Sequence, residues 1–174
     1  MAASPVQRRP WIALVVGVLA LAGVFGVLLW DGGRLLSSGS SSADEPYYNS
    51  TVDLEGSADL IVRGGFVDSR EHSDRGWPEV TATLRVDAVA KGEVSVGDTV
   101  EVSYARPGSG PDAPDGLDPD GGEYVFLLVV WPEGGSSLVN TTQGFYRIEG
   151  GRAVAGEDNP VPLSSTVRQQ LGLS

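Results

Sequence analysis

The chain has 174 residues, 12 Lys and Arg against 23 Asp and Glu, a single His and no Cys. Without a thiol there is no disulfide framework, no thiolate nucleophile and no cysteine-based zinc centre. A net charge of −11 repels phosphate backbones and anionic headgroups, which excludes nucleic acid as a partner and a domain lying flat on a membrane.

The first element is the run Trp11 to Trp30, WIALVVGVLALAGVFGVLLW, twenty residues without a charge. As a helix rising about 1.5 Å per residue it covers about 30 Å, the thickness of a bilayer's hydrocarbon core, with its backbone groups paired internally. A single transmembrane helix over residues 11–30 is therefore expected. Arg8 and Arg9 precede it, and only Asp31 and Arg34 follow before a neutral Ser/Gly run. The basic excess makes residues 1–10 a cytoplasmic leader and places the rest outside the cytoplasmic membrane. Trp11 and Trp30 suit the two interfaces. The run exceeds the apolar core of about 7 to 15 residues in a cleaved signal peptide, which favours an uncleaved signal-anchor. The small residues Ser41-Ser42-Ala43 keep cleavage, with a mature start at Asp44, as the alternative.

Residues 31–57 read as a flexible linker and the domain's edge. Ser37 to Ala43, SSGSSSA, is a Gly/Ser spacer. Glu45 to Leu54 mixes turn formers with aromatics, and Tyr47 and Tyr48 are expected at the edge of the domain that fills residues 58–174. Beyond Ala43 the balance is nine basic to 22 acidic residues, a net of −13.

Within the domain the hydrophobic period is two. Ser57 to Val67 reads as a strand with a Gly64-Gly65 interruption that marks a bulge or bend. Asp68 to Pro78 reads as a polar loop. Glu79 to Val89 alternates cleanly, with Val80, Ala82, Leu84, Val86 and Ala88 on one face. Turns at Lys91-Gly92-Glu93 and Gly97-Asp98 flank a brief Val94, Val96 continuation, and Thr99 to Ala105 alternates again. Pro107 to Gly122 carries four prolines and four aspartates, so it is a surface loop. Glu123 to Trp131 is continuously apolar, as in a strand covered on both faces. Ser137 to Asn140 and Gly144 to Glu149 follow, and Gly150-Gly151 turns a hairpin into Arg152 to Val154. Ser164 or Ser165 caps a short helix over 166–171. Six or seven short strands with one terminal helix give an all-β domain, a small closed or partly closed barrel rather than an open sandwich.

The succession ADLIVRGGFVD, TATLRVDAVAKGEVSVGDTVEV, GGEYVFLLVV and GFYRIEGGRAV resembles uncharacterised exported or membrane-anchored proteins of actinobacteria and other Gram-positive bacteria. Through them it is similar to the OB-fold of netrin-like and metalloproteinase-inhibitor-like modules, over Ala58 to Val154. The resemblance implies an OB-like barrel. Protease inhibition is not implied, because the cysteines and inhibitory N-terminal edge of the animal modules are missing.

Chemistry-bearing residues are sparse. His72 lies among Ser69, Glu71, Ser73 and Asp74, but a Ser-His-Asp hydrolase needs a carboxylate behind the His and a nucleophile in front. No phosphate-cradling or dinucleotide motif is present. The acidic loop supplies hard oxygen donors at Asp112, Asp115, Asp118, Asp120 and Glu123, and Asp118-x-Asp120-Gly121-x-Glu123 resembles part of a calcium loop. Asp115, Asp118, Asp120 and Glu123 are thus the candidate calcium ligands. The expectation is a non-enzymatic, single-pass envelope protein without a cofactor, displaying a binding or scaffolding module to a protein partner outside the membrane. The alternative is a cleaved, secreted domain that binds a cation or a carbohydrate through Trp77, Tyr104 or Trp131; a third is a His72-dependent hydrolase.

Overall fold

A computed structural model describes residues 45–110 and 113–174. The predicted span at residues 11–30, its leader and the linker to residue 44 lie outside the described residues. Among the described residues no helix is long and apolar enough to cross a membrane.

The order of elements is α1 (Thr51–Ser57), β1 (Leu60–Asp74), β2 (Trp77–Lys91), β3 (Thr99–Ala105), β4 (Tyr124–Val130), β5 (Ser136–Leu138), β6 (Phe145–Glu149), β7 (Arg152–Ala155) and α2 (Ser165–Gln170). The sheet runs β1-β2-β3-β5-β4-β6-β7, and β4 also pairs with β1. Five strands, β1-β2-β3-β5-β4, therefore form a closed barrel. All its pairings are antiparallel except β3 with β5.

β4 is the hub. Along one edge it pairs with Leu60 to Gly64 of β1, and along the other first with β6 and then with β5. Its residues Tyr124 to Leu128 are all buried. Alternation sends Tyr124, Phe126 and Leu128 into the barrel, while Val125 and Leu127 point outward into a second apolar layer. That explains a continuous apolar run in sequence: each face of β4 meets a core of its own.

β1 must bend to close the ring, and its register against β2 slips at three places between Ile61 and Asp68. Gly64 sits at one of them, where a Cβ would be driven into the carbonyl of Arg85. The sequence-predicted bulge is there.

The Asp68 to Pro78 stretch is corrected. β1 continues to Asp74 and β2 starts at Trp77, joined by the two residues Arg75 (φ 49°) and Gly76 (φ 90°). Positive φ at both positions makes a turn whose twist matches a hairpin, so a ribbon forms although few of its side chains are apolar. Val94 and Val96 form no strand: residues 92–98 are bends and turns, with Val94 against the interior and Val96 exposed.

Within residues 31–57, read as linker and domain edge, the chain from Glu45 onward packs onto the barrel. Ser50 Oγ accepts from the Asp53 amide at 3.1 Å and donates to its carboxylate at 2.7 Å, which starts α1 and buries Leu54. Upstream, buried Gln143 bonds both main-chain groups of Tyr48, at 2.9 and 2.8 Å, and Asn140 donates to the Pro46 carbonyl at 2.8 Å. α2 is capped by Ser164, whose Oγ accepts from the Val167 amide. Together α1, α2 and the chain after Val161 cover the outward face of β1 and β4.

Candidate functional site

The acidic loop closes one end of the barrel instead of gathering its carboxylates. Leu117 plugs the interior cluster, and Tyr124 Oη accepts from the Asp118 amide at 3.1 Å while donating to the Gly121 carbonyl at 3.3 Å. Glu123 turns to Arg63 in an ion pair, and Arg63 also donates to the Leu171 carbonyl at 3.1 Å. Asp118 Oδ1 accepts from the Asp120 amide at 2.9 Å, a local turn. Asp115 faces elsewhere, lining a cavity of about 140 Å³ with Thr141, Thr142, Glu157 and Asp158. The four candidate calcium ligands are therefore spread over three places. Asp112 lies outside the described residues, and among those described no group of three or more His, Asp or Glu could hold a metal ion.

His72 stands on the β1–β2 ribbon opposite Glu79, with Nε2 3.4 Å from Oε2. Ser69 and Ser73 are odd-numbered neighbours on the same strand, so they project from the other face of the ribbon. A carboxylate backs the imidazole, but neither serine meets it.

Of the three aromatic candidates Trp77 stands apart, while Tyr104 and Trp131 line one groove. Trp77 is at the ribbon's tip, 72% exposed. Tyr104 points into the barrel and stacks on Phe66 with ring centroids 5.8 Å apart. Its buried Oη has no hydrogen-bond partner. Burial pushes its ionisation far upward, and the nearby charges of Tyr124, Asp118 and Asp120 act in the same sense. Trp131 forms a wall of the groove that Tyr104 also lines.

That groove, about 290 Å³, runs along the outside of the β3–β5 seam between Glu45, Glu79, Ser103, Ser137, Thr141 and Trp131. It exists because β3 and β5 pair only at Val102–Ser136 and Ser103–Ser137 before they part. The Arg106 amide bonds back to Pro78 of β2 at 3.0 Å, so by alternation the main-chain groups of Ala105 turn away from β2 toward the groove. Two carboxylates in its wall are engaged: Glu45 accepts from the amide and hydroxyl of Thr141 at 2.9 and 3.0 Å, and Glu79 meets His72. An aromatic plane beside hydroxyls, carboxylates and an open stretch of backbone can hold a polar ligand that has one apolar face.

Only Trp131 and the Tyr104 stretch of this groove were singled out from sequence. Ser103, Ser137 and Glu45 carry no local signal, since they meet only through the parallel seam. No protein-family model matches the chain, and no curated protein matches it at a significant level.

Proposed function

We propose that the chain is a single-pass protein of the bacterial cytoplasmic membrane that displays an OB-like barrel outside it, as a binding or scaffolding module without catalytic activity and for a protein partner of the envelope. The carrying observation is the juxtaposition of two stretches of sequence. A twenty-residue apolar run with Arg8 and Arg9 before it is followed within a short Ser/Gly spacer by a chain that folds from Glu45 onward into its own barrel. The ring order β1-β2-β3-β5-β4, with its one parallel pair, supports the OB-like reading.

The absence of cysteine makes the test direct. A single cysteine replaces Ala3 or the exposed Val96 in the full chain, and intact cells are treated with a membrane-impermeant maleimide. Labelling at position 96 but not at position 3 is the expected result. Labelling only after lysis at position 96 overturns the topology and the functional reading together.

The second reading, a cleaved and secreted domain that binds a carbohydrate, is favoured by one feature. Trp131 stands beside Ser103, Ser137 and Thr141 in one groove, the pairing of a ring face with hydroxyls that suits a sugar. A mature N-terminus at Asp44 by mass spectrometry of the native protein would choose it over the anchored form.

A further inference from the structure

The β3–β5 groove has no basic residue in its lining, and two carboxylates, Glu45 and Glu79, stand in its wall. Thr141 also lines a smaller groove, the cavity of about 140 Å³, which adds Asp115, Glu157 and Asp158, again without a basic residue. Among the described residues none of these five carboxylates is paired with a Lys or Arg. Glu45 is held by the amide and hydroxyl of Thr141, and Glu79 meets His72. A carboxylate accepts at about four lone-pair sites, so both are fixed in position and still able to take a further donor. Like charges around two adjoining concavities focus a negative potential there.

The same groove offers a ring face and a strand edge. Trp131 is 36% exposed, and a cation over an indole face, within about 6 Å of its centroid, is attracted by the ring's quadrupole. The amide and carbonyl of Ala105 turn toward the groove, because β2 is bonded through Arg106 and β5 has parted from β3 after Ser103. Among the described residues neither group has a hydrogen-bond partner, so an extended chain can take them as one more rung of the ladder. The hydroxyls are more committed. Ser103 Oγ shares a hydrogen bond with Thr81 Oγ1 at 3.2 Å, and Thr141 Oγ1 donates to Glu45 at 3.0 Å. Negative charge, a ring face and open backbone suit a basic peptide better than a neutral sugar.

We propose that the β3–β5 groove docks an extended basic segment of the protein partner, an inference that rests on reading the domain as a module for such a partner. One Lys or Arg of the segment lies against the Trp131 ring in the field of Glu45 and Glu79. The segment's main chain bonds the amide and carbonyl of Ala105, and a further basic residue reaches Asp115, Glu157 and Asp158 in the smaller groove. Docking neutralises charge that the fold itself leaves uncompensated, so it weakens as salt rises.

The test is fluorescence anisotropy of a fluorescein-labelled peptide of alternating Lys and Val, titrated with the full chain in an uncharged polyoxyethylene detergent. Saturable binding is expected, displaced by the unlabelled peptide but poorly by spermine, which carries the charge without a peptide backbone. Methylating the peptide's amide nitrogens should weaken binding about fivefold, the loss of one hydrogen bond. Trp131→Leu should weaken it about fivefold and Glu79→Gln about threefold, while Glu149→Gln, on β6 and outside both grooves, leaves it unchanged. Glu79 lies on the ribbon, so its variant keeps the test independent of any part Trp131 plays in folding. The proposal is overturned by no saturable binding, by spermine competing as well as the peptide, or by an equal loss in Glu149→Gln. Displacement by chitohexaose also overturns it and gives the groove to a carbohydrate. Any of these results leaves the anchored topology standing as long as position 96 is labelled in intact cells; labelling there only after lysis overturns the topology whatever the peptide does.

Discussion

The interior of the barrel and the apolar layer outside β1 and β4 share the same two strands as a wall, yet they are closed by different means. The interior is ringed by hydrogen-bonded strands and filled with aromatics. Phe66, Tyr104, Tyr124, Phe126 and Phe145 stand 5.1 to 6.1 Å apart, centroid to centroid, from one ring to the next. The outer layer is mainly aliphatic, with Leu54, Ile61, Leu127, Val167 and Leu171 at its centre. Its lid consists of helices of seven and six residues, well below the roughly 12 to 15 residues at which an isolated helix becomes even marginally stable in water. The lid therefore holds its shape only on a barrel that already exists. The difference teaches which layer is scaffold and which is dependent on it.

Truncation in the scaffold tests this hardest. Phe126→Ala removes a fully buried ring that touches Phe66 and Tyr124, and is expected to cost about 4 kcal/mol by denaturant unfolding, spread over every amide. Leu54→Ala in the lid is expected to cost about 3 kcal/mol. Its signature in hydrogen exchange is local, with protection lost over residues 45–57 and the α2 region but retained in β2 and β4. Equal loss of protection in β2 and β4 would show that barrel and lid unfold as one unit, and the comparison would collapse.

How much of each layer sequence reveals follows from the same contrast. The alternation of Glu79 to Val89 and the apolar run at Tyr124 to Val130 announce strands because the barrel gives each side chain an inside or an outside. The ribbon from Asp68 to Asp74 announces nothing, because it leaves the barrel and meets water on most sides. Only the turn pair Arg75-Gly76 marks it, and Arg is an uncommon residue at positive φ. α1 has one local signal, Ser50-x-x-Asp53, with a single buried leucine behind it. Gln143 looks like any polar loop residue, yet it is fully buried because Tyr48, 95 positions earlier, supplies its partners. The acidic loop is legible as a loop, whereas its use as a plug rests on Leu117, an isolated apolar residue without periodicity. The grooves are the least legible, since each joins segments that share no local pattern.

Two tyrosines sharpen the contrast chemically. Tyr104 in the interior leaves its hydroxyl without a partner, so Tyr104→Phe is expected to stabilise the protein by about 1 kcal/mol by removing an unsatisfied buried group. Tyr146 in the outer layer bonds the Val161 carbonyl at 2.6 Å, and its loss to Phe is expected to cost about 1 kcal/mol. Burial pushes the Tyr146 phenol up from 10.0 to about 12, the Glu55 charge adding to it and Asn159 opposing. An acid whose folded pKa is raised holds its proton more tightly in the native state. Its stabilisation is complete below about pH 10 and is lost progressively between about pH 10 and 12, on the order of 2 kcal/mol. Urea midpoints measured across that range should fall less steeply in Tyr146→Phe than in the parent.

The smallest expected effect bears on the joint between the layers. At the end of β2, Lys91 crosses to α1 and donates to the carbonyls of Glu55 and Gly56 at 2.9 and 3.1 Å. Those oxygens are among the last of the helix and have no partner within it, so the ammonium both caps them and sits at the negative end of the helix dipole. Lys91→Met keeps the aliphatic stem and removes only the charge and its donors. The half-exposed setting limits the cost to about 0.5 to 1 kcal/mol, less than the truncations remove. The effect should concentrate in faster exchange of α1 amides and should shrink in high salt, because solvent-exposed charge is screened. A uniform loss of protection through β2 instead would mean that Lys91 holds the strand's end rather than the lid, and the dependence between the layers would then run in the opposite direction.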